Sequence, residues 1–279
     1  MIRRHALALL VGLVSPCNAA LAQSPAVPIF WDEKEQVSRP DLSGRERIRF
    51  LTTTDFAPFN FLDANGRLSG FHVDLARAIC NELKMAERCQ IQALPWPELE
   101  TALDQRQGEA IIAGLAVTAA NREKYAFTRA YLQFPARFLV AKGSPLDEPF
   151  DKSLNGKTVG VLAGSAHEKM LAAYFPGAAA KPFDTTGPML DALRSRQLDA
   201  VFGDGMRLSF WLSDAAGSSC CKFAGGPYLA SDFLGGGLAI AVRGDDPQLA
   251  QAFDFALHEI GVKGIFTELY LRYFPVSFY

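Results

Sequence analysis

Residues 108–131 read GEAIIAGLAVTAANREKYAFTRAY. The apolar run from Ala110 to Val117 predicts a short strand that is buried on both faces. Thr118 predicts the start of a helical turn, because a threonine side chain accepts hydrogen bonds from the free N–H groups there. Those N–H groups and the positive end of the turn would lie at the carboxyl edge of the strand, where they favour an anion.

Two residues of this stretch add to the anion hypothesis. Arg122 lies inside the predicted turn, and a guanidinium can hold a carboxylate through two parallel hydrogen bonds. Gly114 has no side chain, so a ligand can approach the backbone closely at that point. The alternative interpretation, a core strand followed by a solvated turn without a ligand, fits the same sequence.

Composition is that of an ordinary globular protein. The chain has 279 residues, of which 49% are hydrophobic and 21% are charged, so one or two domains can bury a sizeable core. The formal net charge is −2 and no block of like charges occurs. A nucleic-acid partner is therefore not expected.

The N-terminus predicts a secretory signal peptide over residues 1–22. Two arginines precede an apolar run at 6–14, and Ala20-Leu21-Ala22 supplies a cleavage site of small residues. The run is shorter than the roughly 20 apolar residues that a membrane span needs. We expect a mature chain that begins at Gln23 and is exported to the periplasm.

Four cysteines remain after this cleavage, in a chain bound for an oxidising compartment. Cys80 falls near the end of a predicted helix and Cys89 just before a predicted strand, so we predict a disulfide between them. The adjacent Cys220 and Cys221 form either a vicinal bridge or two thiols. Neither the cysteines nor the four histidines show the spacing of a metal site, and no metal is predicted.

A helix-to-strand unit occurs twice, at an offset of 90 residues. Residues 102–112 and 192–202 share an Ala-Leu pair, an Arg-Gln pair, and an acidic residue that leads into an apolar run. Unless the match is chance, two copies predict two similarly wound lobes. The offset sets Gly114 opposite Asp204, each at the end of its lobe's strand, and ligands bind at that edge of open α/β sheets.

These patterns predict an α/β fold of two lobes, each a mostly parallel sheet flanked by helices. An irregular arm would span 23–46, the first lobe 47–140 and 230–279, and the second lobe 141–229. Two chain crossings between the lobes would act as a hinge that permits closure around a ligand.

Several short motifs point to a family. They are FAPFNF at 56–61, GFHVDLA at 70–76, YAFT at 125–128 and GKTVGVLAGS at 156–165. In this order they resemble the periplasmic solute-binding proteins, family 3, which serve polar amino-acid ABC transporters. The resemblance covers roughly 48–274. It implies a type II periplasmic binding protein fold and a monomer without cofactor or catalytic residues, whose partners are an amino acid or related carboxylate and a membrane permease.

The resemblance also implies roles for single residues. Asp204 matches the aspartate that binds the ligand ammonium. Phe56 and Trp96 match the aromatic residues on either side of the ligand side chain. Gly114 matches a position whose carbonyl accepts from the ammonium, and Ala116 one whose backbone N–H meets the carboxylate.

Some positions depart from the family pattern. Arg122 comes one residue after the usual arginine, and an ungapped alignment places Asn121 there instead. Thr53 replaces an acid that recognises basic side chains in the family's lysine/arginine/ornithine binder. Ala166 and His167 replace a polar pair in the second lobe, with His167 expected on the helix surface. A lysine-like ligand would lose its counter-charge, which favours a neutral or aromatic side chain.

Two other functions remain open. Periplasmic cyclohexadienyl dehydratases resemble the same family, and in such an enzyme Asp204 or Glu98 would serve as the acid. An accessory or sensor protein with an unused cleft would suit the loss of the family's serines at 113–116.

Overall fold

The structure is a computed structural model that describes residues 27, 30–32, 34–146 and 148–279. The predicted signal peptide at 1–22 lies outside these residues, as does the beginning of the predicted arm. None of the helices in the described ranges is both long and apolar enough to span a membrane.

Strands and helices alternate along most of the chain. The strands are β1 Ile48–Thr52, β2 Asp55–Phe56, β3 Asn60–Leu62, β4 Leu68–Ser69, β5 Cys89–Ala93, β6 Ala110–Ile111, β7 Tyr125–Phe127, β8 Ala136–Ala141, β9 Thr158–Leu162, β10 Ala179–Phe183, β11 Ala200–Asp204, β12 Cys221–Tyr228 and β13 Ala241–Arg243. The α-helices are α1 Phe71–Glu82, α2 Leu99–Asp104, α3 Ala119–Lys124, α4 Phe150–Ser153, α5 Ala166–Tyr174, α6 Thr186–Arg194, α7 Gly205–Ser213, α8 Ala215–Cys220, α9 Ser231–Leu234, α10 Pro247–Val262 and α11 Ile265–Tyr273. Short 3-10 turns lie at Ala86–Arg88 and Trp96–Glu98.

Two five-stranded sheets organise the described chain. Their strand orders are β5-β1-β6-β13-β7 and β10-β9-β11-β8-β12. In each sheet, three neighbouring strands run parallel and the other two are antiparallel to their neighbours. The prediction of two α/β lobes is thereby confirmed.

Aromatic packing ties distant segments into each lobe. In the first lobe, the ring of Phe50 on β1 lies 5.0 Å from that of Phe253 on α10, and both side chains are fully buried. In the second lobe, Phe138 on β8 and Phe202 on β11 lie 4.5 Å apart. Full burial of such a side chain contributes about 2–3 kcal/mol. Helix α10 therefore belongs to the first lobe's core, although it comes late in the chain.

The internal repeat is reproduced in the backbone. Arg106 and Arg196 both adopt left-handed conformations with φ of 60°, each just after the helix of its unit. In both units the acid that follows, Glu109 or Asp199, accepts a hydrogen bond from a backbone N–H of the neighbouring strand. Matching dihedral angles and hydrogen bonds show that the sequence match is structural.

The chain enters the second sheet earlier than predicted. β8 pairs with β11 and β12, so a boundary after residue 140 would divide one strand of that sheet. On the return, α9 packs on the second lobe, where the ring of Phe233 lies 5.6 Å from that of Tyr174. We propose that the second lobe comprises residues 136–234.

The described part of the N-terminal arm packs on the first lobe. The Trp31 side chain is 5% exposed and packs in the first lobe's core. Arg45 forms an ion pair with Asp246 at 2.7 Å. The Nε2 atom of His258 lies 3.2 Å from the carbonyl oxygen of Asp32. The arm therefore packs on the body at several separate points.

Both cysteine pairs are disulfides. Cys80 on α1 is bonded to Cys89 at the start of β5, which confirms that prediction. Cys220 and Cys221, at the junction of α8 and β12, are bonded to each other, which resolves the alternative left open by the sequence.

Candidate functional site

One cavity lies on the first lobe, beyond the ends of β1 and β5. Its volume is about 320 Å³, and Thr53, Asp55 and Trp96 are among its lining residues. The Trp96 side chain is 47% exposed, so its ring faces solvent at the cavity mouth rather than the core. Two of the residues predicted for ligand binding, Thr53 and Trp96, thus share one cavity wall.

Phe56 and Gly114 form a second pair. β6 ends at Ile111, earlier than the predicted strand, and Gly114 in the loop that follows is left-handed, with φ of +86°. A Cβ atom at Gly114 would lie 3.4 Å from Cε1 of Phe56. The Phe56 ring stacks on Phe59 with centroids 4.7 Å apart. The glycine therefore leaves room beside an aromatic ring.

The turn after β6 forms as the sequence predicts. The Thr118 hydroxyl caps α3 by accepting from the Asn121 backbone N–H at 3.2 Å. The Asn121 side-chain amide donates to the carbonyl oxygen of Ala116 at 2.8 Å. This bond directs the Asn121 amide toward its own loop, whereas the Arg122 guanidinium is exposed and can offer two parallel donors to a carboxylate.

Arg122 is held only loosely by its surroundings. Its guanidinium carbon lies 6.0 Å from the centre of the Phe127 ring. Among the described residues no carboxylate is close enough to form an ion pair with it. The exposed Ala116 lies in the same loop, and its N–H finds no backbone acceptor in the described chain. A cationic side chain and a free donor thus lie in one segment.

A second cavity lies on the second lobe, at the end of β11. Its volume is about 210 Å³, and Asp204, His167, Arg207 and Thr186 are among its lining residues. Asp204 caps α7 because one carboxylate oxygen, Oδ1, accepts from the Arg207 backbone N–H at 2.8 Å. The other oxygen is left available for a cationic group.

His167 is not a helix-surface residue, and that prediction was wrong. It follows Ala166, the first residue of α5, and its half-buried ring lines the cavity beside Asp204. Burial lowers the pKa of His167, and the Asp204 carboxylate opposes this shift. Sequence reasoning missed this because a helix beside a cavity has the same apolar pattern as a helix whose outer face is in solvent.

A buried chain of hydrogen bonds lies behind Thr53, and the sequence did not predict it. The Asn60 amide nitrogen donates to the Thr53 hydroxyl oxygen at 2.6 Å. The oxygen of the same amide, Oδ1 of Asn60, lies 2.8 Å from Nδ1 of His72. Nε2 of His72 lies 2.9 Å from the Tyr131 hydroxyl. These four residues are called the polar relay below; all are at most 2% exposed.

The buried His72 of the relay predicts that acid lowers the stability of the folded protein. Burial lowers the pKa of His72 from 6.5 to about 3, so below pH 6.5 the unfolded chain binds a proton that the folded chain does not. Stability is therefore lost as the pH falls, by about 1.4 kcal/mol per unit. Between pH 7 and pH 5 we expect wild-type protein to lose about 2 kcal/mol more than His72→Gln, which does not titrate.

Urea unfolding of both proteins at the two pH values measures this difference. Comparing the losses, rather than the stabilities, removes the fixed packing cost of the substitution and the titration of other groups. Equal losses in the two proteins would show that His72 does not titrate in this range.

The described residues contain no group of three or more His, Cys, Asp or Glu side chains arranged to hold a metal ion. The two cavities instead offer aromatic rings, threonine hydroxyls, the carboxylates of Asp55 and Asp204 and the guanidinium of Arg207, whereas Arg122 lines neither of them. Such groups suit an organic ligand with charged groups.

Comparison with known proteins identifies the family. The model of the bacterial extracellular solute-binding proteins, family 3, matches residues 48–276. The chain belongs to that family. The match extends through both lobes. This solute-binding protein therefore has the two-lobed periplasmic binding protein fold over residues 48–276.

Relatives include two proteins of Escherichia coli (strain K12). This solute-binding protein is 30% identical to the lysine/arginine/ornithine-binding periplasmic protein, over 84% of this chain and 90% of that protein. It is 28% identical to the ABC transporter arginine-binding protein 1, over 84% of this chain and 93% of that protein. Both relatives are named as binding proteins rather than enzymes.

Solved structures share the fold. The unliganded, open L-cystine solute receptor of Neisseria gonorrhoeae superposes with a TM-score of 0.68 at 18% identity, over 83% of this chain and 94% of that structure. An ancestral cyclohexadienyl dehydratase superposes with a TM-score of 0.70 at 18% identity, over 86% of this chain and 98% of that structure. At such identities the likeness concerns the fold alone.

Proposed function

We propose that this solute-binding protein captures an amino acid between its lobes, outside the cytoplasm, and delivers it to the permease of an ABC transporter. The observation that carries the proposal is the family match through both lobes. The relatives named for amino acids support the ligand class. The predicted signal peptide at 1–22 would direct the chain to the periplasm, where it acts as a monomer.

The geometry supports a division of labour between the lobes. Arg122 and the Ala116 N–H, after β6, bind the ligand carboxylate. Asp204, after β11, binds the ammonium through the oxygen that its helix cap leaves free. Phe56 and Trp96 pack on the side chain, and Ala166 begins α5, directly before the cavity residue His167. Closure of the hinge brings both cavities onto one ligand.

Binding without catalysis is the function that we propose. His167 beside Asp204 is the one arrangement of this site that would suit proton transfer, as the dehydratase alternative requires. The named relatives are binding proteins, and the likeness to a dehydratase is one of fold. Turnover of prephenate or arogenate by the purified protein would instead support an enzyme.

A thermal-shift panel of amino acids tests the proposal. A ligand that binds only the folded state, at 100 times its Kd, stabilises by about 2.7 kcal/mol. For a protein of this size that raises Tm by about 5–10 °C. We expect such a rise with at least one amino acid and none with its N-acetyl amide, which lacks both charges. Unchanged melting with every amino acid would favour the accessory function.

A further inference from the structure

The hydrogen bonds of the polar relay behind Thr53 all run in one direction, from Tyr131 toward Thr53. The Tyr131 hydroxyl is fully buried, and burial raises its pKa, so it keeps its proton. Within the described chain its hydrogen-bond partner is Nε2 of His72. A buried donor without an acceptor costs more than a buried acceptor without a donor. The Tyr131 hydroxyl therefore donates, and Nε2 accepts.

The direction carries through to Thr53. His72 is neutral at pH 7, so with Nε2 accepting, its proton is on Nδ1 and donates to the Asn60 side-chain oxygen. That orients the Asn60 amide, whose nitrogen donates to the Thr53 hydroxyl oxygen. Each group in the relay donates toward the next, and the Thr53 hydroxyl proton is the one that remains.

Thr53, which carries this remaining proton, lines the first lobe's cavity. Thr53 is 2% exposed, and the cavity shared with Trp96 is the space that it borders. Among the described residues no acceptor for the Thr53 hydroxyl proton is found. A bound ligand that offers an acceptor there would satisfy it, whereas one that offers only donors would leave it unpaired.

Asp55 is the charged residue of this cavity wall. It is exposed, and in the described chain no cation pairs with it. Solvent screens an exposed carboxylate strongly, so its preference for a cationic ligand is weak. The buried donor of Thr53, which water does not reach freely, discriminates more strongly between ligands.

We propose that Asn60, His72 and Tyr131 are positioning residues that hold the Thr53 hydroxyl as a donor toward the ligand side chain. The site then selects an amino acid whose side chain ends in a neutral acceptor, such as a carbonyl oxygen. This inference rests on the proposed function, since it concerns the ligand of the same site. It names the ligand class that the family match leaves open.

Citrulline and arginine form the sharpest pair of probes. They have nearly the same shape, but citrulline ends in a neutral urea with a carbonyl acceptor, and arginine in a guanidinium without one. Calorimetry with the wild-type protein should show citrulline, or its shorter analogue glutamine, binding at least about tenfold more tightly than arginine or lysine.

Substitutions test the relay itself. Thr53→Val keeps the shape and removes the hydroxyl, so it should weaken citrulline binding about tenfold and leave arginine binding unchanged. Thr53→Ser should restore the preference. Tyr131→Phe removes only the distant hydroxyl, which frees the relay to reverse, and should bring the citrulline-to-arginine ratio close to one. Tyr125→Phe, in the same lobe but outside the relay, is the control.

The outcomes separate cleanly. The inference would be overturned if arginine, lysine or an amino acid without a side-chain acceptor bound most tightly. Loss of that binding in Asp55→Asn would show that the Asp55 carboxylate, rather than the Thr53 hydroxyl, selects the ligand. An unchanged ligand ratio in Tyr131→Phe would overturn the relay's role. Failure of the proposed function differs, because then no amino acid binds the wild-type protein at all, and the inference falls with it.

Discussion

Asp204→Asn is expected to weaken binding of the best amino-acid ligand by about 100-fold or more. Loss of one partner of a desolvated charge pair costs about 2–5 kcal/mol, because the ligand ammonium is left buried without its counter-charge. Asparagine still caps α7, since it is as good an N-cap residue as aspartate. Calorimetric titration measures the loss, and urea unfolding of the free protein should be unchanged.

Asp199→Asn is the matched control for this substitution. Asp199 immediately precedes β11, while Asp204 ends it, so both changes remove one negative charge from the same strand region of the second lobe. The Asp199 variant should bind as wild-type protein does. Full affinity in Asp204→Asn would remove that residue from the site and leave the ammonium to another group.

Arg122→Gln is expected to lower affinity by a similar factor, about 100-fold. The guanidinium lies in the turn after β6. Among the described residues it has no carboxylate partner from which it would have to separate. A bidentate arginine-to-carboxylate contact in a closed cleft is among the stronger hydrogen-bonded interactions. Calorimetry with the free amino acid measures the effect.

Lys124→Gln and a modified ligand control for this prediction. Lys124 lies on the same short helix and is exposed, so its loss changes the local charge equally without touching the ligand. The amino-acid amide, which lacks the carboxylate, should bind wild-type protein poorly and should lose little more in Arg122→Gln. An equal further loss with the amide would show that Arg122 does not act through the carboxylate.

Sequence reasoning succeeded where a local pattern has a single structural solution. The repeat predicted two α/β units, and Arg106 and Arg196 share the same left-handed backbone because each ends the same kind of helix. Thr118 predicted its own cap on α3, since capping involves residues only three apart. The Cys80–Cys89 disulfide followed from two short elements that must lie side by side.

Predictions failed where residues that are close in space but distant in sequence decide a lobe boundary or the exposure of a side chain. β8 continues the chain of the first lobe without a break in sequence pattern, yet it pairs in the second sheet. His167 has a helix position typical of the surface, yet its side chain lines a cavity beside α5. Boundaries and exposure depend on which surfaces meet, and a helical or strand pattern does not contain that information.

The sequence by itself determined the two-lobed α/β class, the strand ends where we propose that the ligand binds, and the disulfide, because apolar periodicity, caps and turns act over a few residues. Only the tertiary structure brings the four residues of the polar relay together. Thr53, Asn60, His72 and Tyr131 come from a strand end, a hairpin, a helix and a loop, and each looks ordinary alone. Burial joins them: once water is excluded, each polar group must find a partner, and the direction of every hydrogen bond follows.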